Sequence, residues 1–157
     1  MNALNSKKNI NWDLIVIDDP NFLPGMSIFE LINLILKSIN FRYVILDDIV
    51  GAAEEANYLA EREGIVFEID DFLKKVVGVV QFDWGNFFLF KEYPKNWQLI
   101  DRDYPNLIRL SDTTIRAVDD QYLYIYTPYP EIVECINNHY VVESVKNDQL
   151  ENLDFPD

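Results

Sequence analysis

The stretch Val79-Val80-Gln81-Phe82-Asp83-Trp84-Gly85-Asn86-Phe87-Phe88-Leu89-Phe90-Lys91-Glu92-Tyr93 sets the reading of this chain. It reads as two strands closed by a tight turn. Gly85 tolerates the positive φ of short hairpin turns, and Asp83 and Asn86 are turn formers. Beyond the turn, Phe87 and Leu89 point one way and Phe88 and Phe90 the other. A strand apolar on both faces calls for cover on both. That places it centrally, unless one face is a docking site for a partner.

Working outward toward the N-terminus, Trp12 to Ile17 is a short buried strand stopped at Asp18-Asp19-Pro20. Ser27 opens a helix, with Glu30 completing a capping box and Met26 placed to staple against Leu31. Ile28, Leu31, Ile32, Ile35 and Ile39 recur at helical spacing to about Asn40. Arg42 to Leu46 is a second strand, again ending in an acidic pair, Asp47-Asp48. Either acid can cap a helix that carries Ala52, Ala53, Ala56, Leu59 and Ala60 inward and stops at Gly64. Ile65 to Ile69 alternates as a third strand. Asp70 or Asp71 then caps a short segment through Leu73, Val76 and Val77 that is ambiguous between helix and strand.

Toward the C-terminus, residues 94–105 read as irregular, with two prolines and Trp97. A hairpin follows: Thr113 to Val118, a turn at Asp119-Asp120, then Gln121 to Thr127. Its second strand sends Leu123 and Ile125 to the core and Tyr122, Tyr124 and Tyr126 to a half-exposed face. Thr127 caps a last helix with Ile132, Val133 and Ile136 as its apolar positions, and Tyr140 to Val145 is a final strand. Residues 147–157 are acidic and aperiodic, expected as a mobile tail. The sum is α+β: a single domain over 1–146, with a mixed or largely antiparallel sheet containing two hairpins and packed against two to four helices.

Composition narrows the function. The chain has 157 residues, enough for a substantial core, and Cys135 is its single cysteine, so no internal disulfide forms. A lone thiol fits a reducing compartment, most simply the cytoplasm. No apolar run is long enough to span a bilayer, and Lys7 and Lys8 precede no signal-peptide core. Against 27 acidic residues stand 13 Lys and Arg, a formal net charge of -14. Such a surface repels bare nucleic acid and anionic membranes and attracts basic partners. High acidity also serves solubility alone.

Catalytic motifs are absent. With five glycines there is no phosphate-cradling loop, and G-x-S-x-G, H-E-x-x-H and C-x-x-C do not occur. No cofactor is implied. The pairs Asp18-Asp19 and Asp47-Asp48 would gather four carboxylates for Mg²⁺ if their strands were parallel neighbours, giving a phosphotransfer or hydrolytic enzyme. The stretch Ile15-Val16-Ile17-Asp18-Asp19 resembles the acidic opening of response-regulator receiver domains, although no phosphoacceptor strand or later lysine matches. The simpler reading makes these acids turn formers and caps. Cys135 and His139 share one side of the last helix, which suits a small buried thiol beside a boundary histidine better than a nucleophile or a metal site.

The strongest signal is the run 47–71, with nine acids (Asp47, Asp48, Glu54, Glu55, Glu61, Glu63, Glu68, Asp70, Asp71) and one base, Arg62. Concentrated like charges repel, and a basic partner relieves that repulsion. Trp84, Tyr122, Tyr124 and Tyr126 are the candidate aromatic anchors. In size, charge and lack of catalytic motifs the chain resembles the small acidic immunity proteins that block a cognate bacterial toxin, often a nuclease. No residue motif carries that resemblance. It implies a basic protein partner, with acids of 47–71 matching the toxin's substrate-binding surface. A self-associating subunit, dimeric through the 79–93 hairpin, is the remaining expectation.

Overall fold

A computed structural model describes residues 10–98 and 103–157. Lys7 and Lys8, and residues 99–102 of the segment read as irregular, lie outside the described residues. The strands are β1 (Trp12–Asp18), β2 (Tyr43–Ala52), β3 (Val66–Glu68), β4 (Gln81–Phe90), β5 (Thr113–Val118), β6 (Tyr122–Thr127) and β7 (Ser144–Asp148). The helices are α1 (Gly25–Leu36), α2 (Glu54–Ala60), α3 (Ile69–Val76), α4 (Tyr104–Leu110) and α5 (Pro130–His139), with a 3₁₀ turn at Leu150–Asn152. The strands form one antiparallel sheet in the order β3-β2-β4-β5-β6-β1-β7. The fold is α+β, as the composition of elements predicts.

Both faces of the sheet are buried. Alternation sends Ile15 and Ile17, Phe87 and Leu89, Ile115 and Ala117, and Leu123 and Ile125 into a large core. Apolar residues of α1, α2, α3 and α5 complete that core. The intervening positions Trp12, Leu14, Ile45, Phe88, Phe90 and Tyr126 form a second core under α4 and the C-terminal segment. One cross-strand row shows the register: Ile45, Phe88, Thr114, Tyr126, Leu14 and Lys146 are successive partners from β2 to β7.

The hairpin expected within 79–93 is instead one continuous strand. Gly85 pairs with Ala117 in mid-strand, not in a turn. A Cβ there would stand 3.0 Å from Phe87 Cζ and 3.2 Å from Ile49 Cδ1, so the glycine serves close packing. From Gly85 to Phe90 the strand is buried on both sides, so the two-faced hairpin expected to mediate self-association is not formed. The second hairpin does form. Asp119 and Asp120 take φ of 54° and 49°, the two left-handed positions of a type I′ turn.

Helix α1 begins at Gly25 with Pro24 at its N-cap, so Ser27 lies inside the first turn and no side-chain capping bond forms. Met26 is exposed and staples nothing. The early start follows from packing: a Cβ on Gly25 would meet the Val76 carbonyl oxygen at 1.7 Å, so only glycine lets α1 abut the end of α3. Asp47 and Asp48 do not end β2. The strand runs on to Ala52 through a bulge between Asp47 and Val50, where Asp48 adopts φ 55°. Likewise Thr127 is no N-cap, since Tyr129 holds that position, but its Oγ1 accepts from the Tyr129 amide at 3.2 Å. The segment 73–80, ambiguous between helix and strand in the sequence, is helical as far as Val76 and leaves the helix before β4, and α4 was not foreseen.

Residues 147–157, expected as a mobile tail, are built into the fold. β7 pairs with β1 in register up to Asp148, and Leu150 and Leu153 are buried in the second core. Phe155 stacks on Tyr126 at 5.4 Å with a 6° interplanar angle, and Tyr126 Oη donates to the Asp154 carbonyl at 2.5 Å. Glu151 pairs with the buried Arg109. The final strand therefore lies at 144–148 and not at 140–145. Replacing buried Leu150 by alanine should lower unfolding free energy by about 3 kcal/mol, as expected for a truncated core leucine. A chemical denaturation midpoint unchanged from the parent protein would contradict this placement.

Candidate functional site

The second face of the sheet carries a polar row at the rim of its core. Asp47, Asn86, Arg116, Tyr124 and Val16 are successive register partners across β2, β4, β5, β6 and β1. Cross-strand partners share a face, so these side chains stand side by side. Arg116 Nε donates to Asn86 Oδ1 at 2.8 Å, and Asn86 Nδ2 reaches Asp47 Oδ2 at 3.5 Å. Arg116 Nη2 donates to the Pro156 carbonyl at 2.5 Å, and its guanidinium carbon lies 4.2 Å from the Tyr104 ring centroid. Arg116 is only 1 % exposed, and Nη1 has no hydrogen-bond partner among the described residues. Burial raises the Tyr104 phenol pKa above its ordinary value. Arg116 opposes that rise, while Asp157, Asp48 and Asp47 add to it.

Next to this row lies a more open one. Val50 pairs with Trp84, Val118 with Tyr122, and Tyr122 with Asp18. Val50 is exposed, and Trp84, Tyr122 and Tyr124 are half-buried, each able to contact a partner at low entropic cost. Tyr126 is not among them. It is fully buried under Phe155, and burial pushes its phenol pKa strongly upward, so it serves the core and not a docking surface.

The nine acids separate into three neighbourhoods. Asp47 and Asp48 sit at the β2 bulge with Glu63, whose Oε1 accepts the Ile49 amide at 2.6 Å and so pins the bulge. Glu54, Glu55 and Glu61 line a shallow groove on α2. Glu68, Asp70 and Asp71 mark the start of α3 and its approach. Asp48, Glu54, Glu61, Glu63, Glu68, Asp70 and Asp71 are exposed, while Asp47 and Glu55 are half-buried. The α2 groove also holds two bases: Arg62 and Lys75 lie 3.5 Å and 4.6 Å from the Tyr58 ring centroid. The bulge neighbourhood is the one that adjoins Trp84, through the Val50 pairing. Sequence reasoning found its acids and its tryptophan. It missed Asn86, Arg116 and Tyr104, which show no motif and are defined only by register and cover.

The Asp18-Asp19 and Asp47-Asp48 pairs do not meet. β1 and β2 are separated by β4, β5 and β6, roughly 19 Å at the usual strand spacing. Among the described residues no three His, Cys, Asp or Glu side chains approach closely enough to hold a metal ion. The four-carboxylate Mg²⁺ site is thereby set aside. Cys135 is half-buried with Sγ 3.6 Å from the Leu34 carbonyl, and His139 Nδ1 donates to the Cys135 carbonyl at 2.9 Å, so the two side chains do not form a thiolate–imidazole pair. No helix among the described residues is long and apolar enough to cross a membrane.

Glu63 offers a direct reading of the bulge's field. Burial raises its carboxyl pKa, the Ile49 amide lowers it, and Asp47 and Asp48 raise it further. A raised carboxylate pKa means that the folded state holds the proton more tightly than the unfolded one. Its contribution is therefore favourable at low pH and is lost as pH rises through the folded value. Glu63→Gln keeps an acceptor for Ile49 and removes the charge. It should be more stable than the parent at pH 7 by about 0.5 kcal/mol, a small effect because solvent screens an exposed group, and the gap should close below about pH 4. A gap that does not vary with pH would refute like-charge stress at the bulge. No protein-family model matches this chain, and neither curated proteins nor solved structures match it significantly.

Proposed function

We propose that this chain is an acidic docking module that binds a basic protein and blocks it, in the manner of an immunity protein neutralising a cognate toxin, such as a nuclease. The observation that carries the reading is one juxtaposition. The Asp47-Asp48 bulge, crowded by Glu63, adjoins the Val50–Trp84 pair at the sheet's rim. Acids supply steering and the half-buried indole supplies an anchor, the combination that tight interfaces use. Glu54, Glu55 and Glu61 on α2 widen the acidic surface, and Tyr122 and Tyr124 extend the aromatic one across β6. With a net charge of -14, a cationic active-site cleft would be drawn to this surface, and occupying it would exclude an anionic substrate.

The test is capture of partners from the native host's lysate at low and then high salt. A single basic protein should be retained at low salt and weakened at high salt. Glu54→Lys/Glu55→Lys/Glu61→Lys should slow its association, and Trp84→Ala should speed its release by roughly tenfold or more. The captured protein's toxicity on expression should be relieved by co-expressing the parent chain. Retention unchanged by both sets of substitutions would overturn the proposed surface.

A further inference from the structure

A different part of the molecule holds a buried carboxylate that no charged side chain answers among the described residues. The turn after β1 folds back so that the Asp19 amide donates to the Gln121 carbonyl at 2.8 Å, and Asp19 Oδ1 accepts from the Asn21 amide at 2.9 Å. Asp19 is only 6 % exposed, and its Oδ2 has no hydrogen-bond partner among the described residues. Buried polar atoms are nearly always paired, and an ionised one left alone is costly. The residue lines a cavity of about 270 Å³ between the β1–α1 turn, α1 and the end of α5.

The walls specify what would fill it. Ile17, Pro20 and Leu123 present apolar surface, and Tyr140 and the exposed Val141 border it. Asp18 and Glu30, both exposed, add negative charge at the mouth. The Tyr140 phenol pKa is raised first by burial and then by Glu30, Asp19 and Cys135, so the phenol shares one field with the two acids. His139, with its proton on Nδ1 facing the Cys135 carbonyl, stands on the same wall. No metal-binding trio exists among the described residues. One deep carboxylate, flanking acids and apolar walls suit an organic cation on a short alkyl stem, its head on Asp19 and its stem along Ile17 and Leu123.

We propose that this cavity binds an alkylguanidinium or alkylammonium group, with the Asp19 carboxylate as the principal acceptor. The group belongs either to a free small amine or to an arginine or lysine side chain of a protein. The assignment rests on residues apart from the bulge and α2 acids and stands whether or not those acids dock a partner.

The experiment is titration of the full chain with agmatine and, separately, with a capped single-arginine peptide, following the Tyr140 and His139 ring resonances by NMR. Saturable shifts of both rings are expected with at least one probe, and the tighter probe identifies the source. Asp19→Asn should weaken binding roughly tenfold or more, the loss expected for one charge-assisted hydrogen bond. Glu30→Lys, at an exposed position, tests the same point should Asp19→Asn fail to fold, and it should weaken binding by placing a cation at the mouth. Absence of shifts with both probes would overturn the proposal. So would affinity unaltered by Glu30→Lys, or equal shifts produced by Mg²⁺ alone.

Discussion

A sheet with apolar side chains on both faces has to be covered twice, and the rest of this structure follows from how the chain meets that demand. β1, β4 and β6 all alternate two apolar sets. One set is buried by α1, α2, α3 and α5. The other is left to α4, the last nine residues and Trp97, whose ring lies 5.2 Å from that of Phe88. The C-terminal segment is therefore structural. Leu150 and Leu153 contribute burial, Phe155 stacks between Tyr104 and Tyr126, and backbone carbonyls accept from the Tyr126 hydroxyl and from Arg116 Nη2.

That second cover also shapes the candidate site. It stops at the Asp47–Asn86–Arg116–Tyr124 row, leaving the next positions, Val50, Trp84 and Tyr122, at the open rim. Arg116 sits at the boundary. A guanidinium so deep carries a desolvation cost that Asn86, the Pro156 carbonyl and the Tyr104 face offset together. The row thereby ties the C-terminal segment to the β2 bulge, so the proposed docking rim is held on strands and not on loops.

The parts of the fold legible in the sequence were those with redundant signals. The 113–127 hairpin had strict alternation and two residues, Asp119 and Asp120, that accept left-handed backbone. The acids of 47–71 were visible as charge, and most are exposed. What was misread turned on residues with two uses. Gly85 permits a turn but here admits the Phe87 ring and Ile49, and Asp47-Asp48 signals a strand end but here forms a bulge held by Glu63. α4 was hidden behind prolines, with only Tyr104, Leu107 and Ile108 to mark its inner side. Leu150, Leu153 and Phe155 sit among acids at no regular period, and their burial depends on Tyr126, more than twenty residues earlier. Arg116 and Asn86 were invisible as a pair because only the β4–β5 register brings them together.

Charge and anchor thus meet where the sheet's second cover ends, and the docking account stands or falls on that location. The most direct measurement is hydrogen–deuterium exchange of the chain alone and bound to the basic protein captured at low salt. The account predicts added protection over residues 47–63 and 81–86, where the bulge, α2 and Trp84 lie, with the interior pairing of β5 unchanged. Protection confined to other surfaces, with 47–63 and 81–86 exchanging as in the free chain, would contradict it.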